Sequence, residues 1–161
     1  MLIAQVSDIH AAPDNDHLAR FDRVLGWLAQ LQPDVLVLSG DLTDDGWLEG
    51  YRQIAARLGK VPYPSLILPG NSDDRRLMRS VWGENAWAKD ACDGALHIAS
   101  GHVHRPIAGM FAGIPAHICA SVCPANPVWF GTERVPPAED APGLMIHRYM
   151  NSVLTSHHVR V

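Results

Sequence analysis

Residues 35–41 read Val-Leu-Val-Leu-Ser-Gly-Asp, an unbroken apolar run that ends abruptly in small and acidic residues. Consecutive β-branched and leucine side chains are the pattern of a strand buried on both faces. Upstream, Leu18, Phe21, Val24, Leu25, Leu28 and Leu31 recur at helical spacing, which predicts an amphipathic helix near residues 17 to 31, stopped by Pro33. Before it, Leu2 to Val6 is a second short strand that runs into Ser7-Asp8. Downstream, Leu48, Tyr51, Ile54, Ala55 and Leu58 form another helical stripe, broken by Pro62 and Pro64. Ser65 to Leu68 is then a third strand, ending at Pro69-Gly70-Asn71. The order β-α-β-α-β is that of the α/β class, with parallel strands and right-handed crossovers.

The second half has a different texture. Asp74 to Trp82 is a basic, helix-like stretch carrying Arg75, Arg76 and Arg79, and a loop with Trp87, Asp90 and Cys92 follows. Ala95 to Ala99 is a short apolar segment before Gly101-His102-Val103-His104, and residues 107 to 122 read as strand pieces. Residues 123 to 143 contain Pro124, Pro127, Pro136, Pro137 and Pro142 and read as loop. Leu144 to Met150 and Val153 to Val161 flank Asn151-Ser152, a terminal hairpin.

With 161 residues, 47% hydrophobic and 19% charged, the chain fits a single globular domain with its own core. A net charge of −4 argues against a protein built to neutralise a nucleic-acid polymer. No apolar run reaches the roughly 20 residues of a membrane span. The apolar start meets Asp8 at once and reads as a strand rather than a leader. Three cysteines, Cys92, Cys119 and Cys123, show no zinc-ribbon spacing, so free thiols and a cytoplasmic location are the expectation.

Nine histidines stand beside 17 acidic residues, and several sit where chemistry is made. The strands end in Asp8 and His10, in Asp41, and in Asn71 and Asp73. In a parallel sheet those ends share one edge, where open α/β sheets bind ligands. In an extended segment residues two apart point the same way, so Asp8 and His10 can share one cation, and His102 with His104 repeats the pattern. Asp41 follows a glycine and can bridge two ions, and Asn71 adds a neutral oxygen. This nitrogen and oxygen inventory without thiolate suits Mn, Fe or Zn.

Taken together, Asp8-Ile9-His10, Gly40-Asp41-Leu42-Thr43-Asp44, Gly70-Asn71-Ser72-Asp73 and Gly101-His102-Val103-His104-Arg105 resemble the motifs of the calcineurin-like metallophosphoesterases. Within that superfamily they are similar to the class III cyclic nucleotide phosphodiesterase and glycerophosphodiesterase branch. The resemblance implies a reduced α/β/β/α sandwich, its C-terminal strands forming part of a second sheet. It implies a first metal on Asp8, His10, Asp41 and His104, and a second on Asp41, Asn71 and His102. In such a site a metal-bound hydroxide attacks the phosphodiester, and Asp41, Asn71 and His102 are the residues carried over as catalytic. Asn71 and Arg105 also face the substrate phosphate in this reading, although a solvated loop position suits Arg105 as well.

Two departures from the pattern bear on activity. Ser72 stands where the family has a histidine that contacts phosphate, and a hydroxyl is no acid near neutral pH. The domain, residues 1–161, is shortened between about 74 and 100, where relatives carry a His-rich turn that gives the second metal one more ligand. That second site is therefore weakened. His97 is the nearest replacement in sequence, ahead of His117, His147, His157 and His158, and His17 falls at the first helix. Trp82 and Trp87 are packing residues or flank a base; Asn126, Trp129 and Phe130 edge the site. The expectation is a phosphodiesterase for cyclic nucleotides or glycerophosphodiesters with two divalent ions. The alternative is a catalytically impaired metal- or phosphate-binding remnant acting through association. The shortened sheets point to a homodimer or higher homo-oligomer, with no membrane and no nucleic-acid polymer among the partners.

Overall fold

The computed structural model describes residues 1–83, 97–127 and 139–161. Its first half follows the hydrophobic pattern. Strand β1 (Leu2–Val6) pairs in parallel with β2 (Val35–Ser39), Ile3 opposite Val35, and β2 pairs in parallel with β3 (Ser65–Leu68), Leu36 opposite Ser65. Helix α1 (His17–Leu31) buries Phe21, Val24 and Leu28, and helix α2 (Leu48–Leu58) buries Tyr51, Ile54 and Leu58. Both stripes join Ala4, Val6, Leu36, Leu38 and Ile67 in one core on a single face of the sheet. A left-handed Gln32, whose N–H donates to the Leu28 carbonyl over 2.8 Å, closes α1 just before Pro33. Asp74 caps α3 (Arg75–Trp82) by accepting from the Arg76 and Leu77 amides, and Trp82 packs edge-on against Tyr51 of α2.

The second half supplies a small sheet of β4 (Ile98–Ser100), β5 (Ile107–Phe111) and β6 (Ile114–Ile118), in the order β4-β6-β5. The terminal hairpin, β7 (Gly143–Met150) and β8 (Val153–Arg160), turns on Asn151 and Ser152, both with positive φ, as a tight hairpin turn requires. It does not enter that second sheet. It lies antiparallel along β1, Ile3 opposite His147, and completes a sheet of order β3-β2-β1-β7-β8. A continuous apolar Leu144–Ile146 fits this place beside a buried strand better than a place at a half-solvated edge. The small sheet faces the side of the large one that the helices leave free. A cavity of about 260 Å³ between them is lined by Ile3, Gln5, Val37 and His147 on one side and His97 and Ala99 on the other. Trp87, Cys92, Trp129 and Phe130, considered above, lie outside the described residues.

Candidate functional site

The three parallel strands of the first half end together, and the loops that leave them meet the loop after β4. Asp8 N–H donates to the Gly40 carbonyl, His10 N–H to the Asp41 carbonyl, and Cys123 N–H to the Asp8 carbonyl, at 2.9 to 3.0 Å. This backbone lacing, rather than strand alternation, sets the ligand geometry. Asp8, His10, Asp41, His102 and His104 all have positive φ, between 48° and 78°. The expectation that Asp8 and His10 share a direction through extended backbone is thus replaced by a left-handed turn at each. Non-glycine residues rarely adopt this region, and such strain gathers at functional sites.

Two glycines make the approach possible. A Cβ on Gly70 would stand 2.1 Å from Asp41 Oδ1, and one on Gly101 1.7 Å from Ser7 Oγ and 2.5 Å from Asp8 Oδ2. No other residue lets these loops close over the two carboxylates.

Within this frame Asp8 is buried, and both its oxygens accept from the His102 amide, at 2.9 and 3.0 Å. Its Oδ1 lies 3.4 Å from His104 Nε2. Asp41 offers Oδ1 to the Ser72 amide (2.9 Å) and hydroxyl (3.0 Å), while Oδ2 lies 3.9 Å from His10 Nε2 and 3.7 Å from His102 Nδ1. Burial works against ionised Asp41, but the Ser72 bonds and the nearby His10 and His102 outweigh it and hold the carboxyl below its usual range. His10 Nδ1 lies 2.6 Å from Asp44 Oδ1, so the ring proton is held there and Nε2 is left with a lone pair. That Nε2 is buried without a hydrogen-bond partner.

The donor set fits a divalent cation. Separations of 3.4 to 3.9 Å are long for hydrogen bonds and close to those of ligands that each lie about 2.0–2.2 Å from a shared ion. Asp8, His10 and Asp41 bring ligand atoms within 4.8 Å of one another, as do His10, His104 and Cys123. The two halves of the site differ. Side chains of Asp8, His10, Asp41 and His104 are 1%, 18%, 4% and 17% exposed, whereas His102 is 72% exposed and Asn71 also lies open.

Other residues read from the sequence fall in different places. The Ser72 hydroxyl is turned inward, 3.0 Å from both Asp41 Oδ1 and the Thr43 carbonyl, and so orients the carboxylate. Arg105 is held by Asp140 and by the Asn126 carbonyl, and its guanidinium ties two loops together instead of lying free for a phosphate. Asn126 donates to the Val103 carbonyl, beside the histidine pair. Asp73 is consumed by the amides of Leu42, Thr43 and Gly70 and by the Tyr51 hydroxyl. His97 stands against His117 between the sheets. Sequence reasoning passed over two residues. Asp44 lies inside a quoted motif, and its spacing from His10 carries no local signal. Cys123, a buried free thiol 3.3 Å from His104 Nδ1, reads from sequence as an ordinary loop cysteine.

Residues 1–97 match the family model described as calcineurin-like phosphoesterase. The chain belongs to the calcineurin-like phosphoesterase family. A glycerophosphodiester phosphodiesterase GpdQ of Enterobacter lignolyticus is 36% identical over 84 residues, 47% of this chain and 30% of that protein. A probable cyclic nucleotide phosphodiesterase of Coxiella burnetii is 31% identical over 85 residues, 49% of this chain and 34% of that protein. The chain thus spans about a third of the length of these curated relatives. Among solved structures, an archaeal phosphodiesterase superimposes with a TM-score of 0.63 at 13% identity, over 99% of this chain and 100% of that one. The Escherichia coli phosphoesterase YfcE gives 0.58 at 16% identity, over 99% of each chain. At such identities these two show the fold alone. Among the described residues no helix is long and apolar enough to cross a membrane.

Proposed function

We propose that this phosphoesterase-family chain hydrolyses phosphodiesters of the cyclic nucleotide or glycerophosphodiester type with the help of divalent metal. The observation that carries the reading is the buried, partnerless Nε2 of His10, aimed into a ring of acids and imidazoles on strained backbone. Asp8, His10, Asp41 and His104 would hold one ion, and Asp41 Oδ2, Asn71 and His102 a second, more weakly held one. Mn, Fe and Zn suit both. Such ions lower the pKa of a water toward neutrality and offset charge building on the phosphoryl oxygens. The chain's own work is to prepare for this. Asp44 keeps the His10 proton on Nδ1, the His102 amide steadies Asp8, and Ser72 holds Asp41 Oδ1 and keeps the carboxylate ionised, leaving Oδ2 between His10 and His102.

The inward-turned Ser72 hydroxyl favours a second reading, a domain that binds metal or phosphate but turns over poorly, because no acid for the leaving group stands at that position. We further propose a cytoplasmic location, self-association, and a domain shortened between about 74 and 100 relative to the longer curated relatives. Turnover of bis(p-nitrophenyl) phosphate with Mn²⁺ separates the two functional readings. Asp41→Ala should abolish turnover and bound metal together, while the unaltered chain shows one tight and one weak Mn²⁺ event. Unchanged metal content in that variant overturns the bridging role, and metal binding without turnover in the unaltered chain selects the second reading.

A further inference from the structure

Strand β1 turns Ala4 and Val6 into the helix-covered core and Ile3 and Gln5 toward the space between the sheets. Gln5 is 1% exposed, at a place where an apolar side chain would leave no polar atom to satisfy. Its amide is instead used in full. Nε2 donates to Ser39 Oγ at 2.8 Å and to the Ser100 carbonyl at 3.1 Å. With the NH2 group committed to a carbonyl, Oε1 is the atom that accepts from His147 Nε2, at 3.0 Å. His147 Nδ1 then accepts from Ser156 Oγ at 2.8 Å, so the imidazole is held at both nitrogens.

The strands joined in this way are ones that deliver ligand loops. Ser39 ends β2 two residues before Asp41, Ser100 ends β4 two residues before His102, and Gln5 lies three residues before Asp8. The sheets meet here with little room to shift: a Cβ on Gly101 would stand 1.7 Å from Ser7 Oγ. The reach of His102 and His104 to Asp8 and Asp41 thus depends on where β4 ends, and the Gln5 amide spans the gap between the sheets at that level.

We propose that Gln5, oriented by His147, is a positioning residue of the strand-end centre and fixes the end of β4 so that the His102–His104 loop closes over Asp8 and Asp41. This deepens the metal-holding function proposed above and rests on it. A buried polar network with every partner satisfied specifies one arrangement, which an apolar contact at the same place does not. The His102 amide reports the outcome, because it donates to both oxygens of Asp8 while the His102 side chain is 72% exposed.

The test is Gln5→Met in the full chain, which keeps an unbranched side chain and removes the link. The two groups that Nε2 served keep other partners: the Ser100 carbonyl the Cys119 amide at 2.7 Å, and the Ser39 hydroxyl the Val6 carbonyl at 3.4 Å. In the metal-free variant the His102 amide should exchange its hydrogen about tenfold faster while the amides of Val24 and Leu28 in α1 keep their rates. Mn²⁺ should bind about tenfold more weakly. His147→Phe, which removes the donor to Oε1, should move both readings the same way, and His147→Gln, which restores a donor, should bring them back. Unchanged His102 exchange or unchanged Mn²⁺ affinity in folded Gln5→Met overturns the assignment. So does equal acceleration at Val24 and Leu28, which marks a general loss of stability. If Gln5→Met does not fold, the comparison of His147→Phe with His147→Gln decides, equal readings in the two overturning the assignment. An unaltered chain that binds no Mn²⁺ overturns the metal reading of the function, and His102 exchange still decides whether Gln5 places the loop.

Discussion

Five of the residues that converge at the strand ends are held in a backbone region that side chains ordinarily avoid, and their neighbours explain why this holds. The strained turns at Asp8, His10 and Asp41 are pinned by main-chain bonds between their loops, and the two carboxylates are capped by the amides of His102 and Ser72. The orienting contacts are therefore as informative as the ligands. Asp44 takes the Nδ1 side of His10 at 2.6 Å and fixes which nitrogen is free. Asp44→Ala should weaken metal binding 10- to 100-fold while leaving the fold intact, because Asp44 is half-exposed and anchors no core residue. Metal titration with a circular dichroism control checks this, and an unchanged affinity would remove Asp44 from the site. The ligand types were legible in sequence because each sits beside a glycine or at a strand end. Asp44 and Cys123 were not, since their roles arise from loops meeting across 34 and 19 residues of chain.

At the scale of elements, periodicity sufficed wherever an element buries one face against its sequence neighbours. Helices α1 and α2 and strands β1 to β3 fall where their apolar spacing put them. The hairpin β7–β8 was legible as a hairpin, but its partner was not. Pairing with β1 is settled by a contact over more than 140 residues, Ile3 opposite His147, that no local pattern encodes. That pairing has a consequence. It places His147 in the inter-sheet space, where burial, helped by the nearby His97, His117 and His157, pushes its pKa down to about 4. The unfolded chain binds a proton there near pH 6.5, so below that value protons favour unfolding. The contribution is whole above pH 6.5 and is lost as pH falls toward 4, by at most about 3 kcal/mol. In the metal-free protein, urea midpoints should drop steeply between pH 6.5 and 4.5. His147→Gln, which keeps polar partners for Gln5 and Ser156, should flatten that slope. An equal slope in both proteins would place the acid sensitivity elsewhere.

For the whole molecule, the question is what covers the small sheet. One of its faces meets the large sheet across the imidazole-lined space, and the helices are all engaged elsewhere among the described residues: α1 and α2 on the large sheet, α3 on α2. The sheet's outer strand β5 is exposed along its full length, with Ile107, Met110 and Phe111 at 44%, 68% and 69%. Among the described residues it pairs only with β6, so one row of its amides and carbonyls is unpaired by their sheet bonding. An apolar strand with an open edge is a template for another strand, and charged or proline side chains that would blunt it are missing from Ile107–Phe111. Exposed apolar side chains clustered in this way mark interfaces. The commonest closed solution is a twofold pair, here β5 laid antiparallel on its copy. Light scattering coupled to size exclusion should therefore show a dimer. Met110→Lys with Phe111→Lys should convert it to monomer without changing the metal content of the strand-end centre, whose candidate ligands Asp8, His10, Asp41 and His104 lie on other segments. A species of monomer mass at every concentration tested would show that the open edge is tolerated in solution and that the chain acts alone.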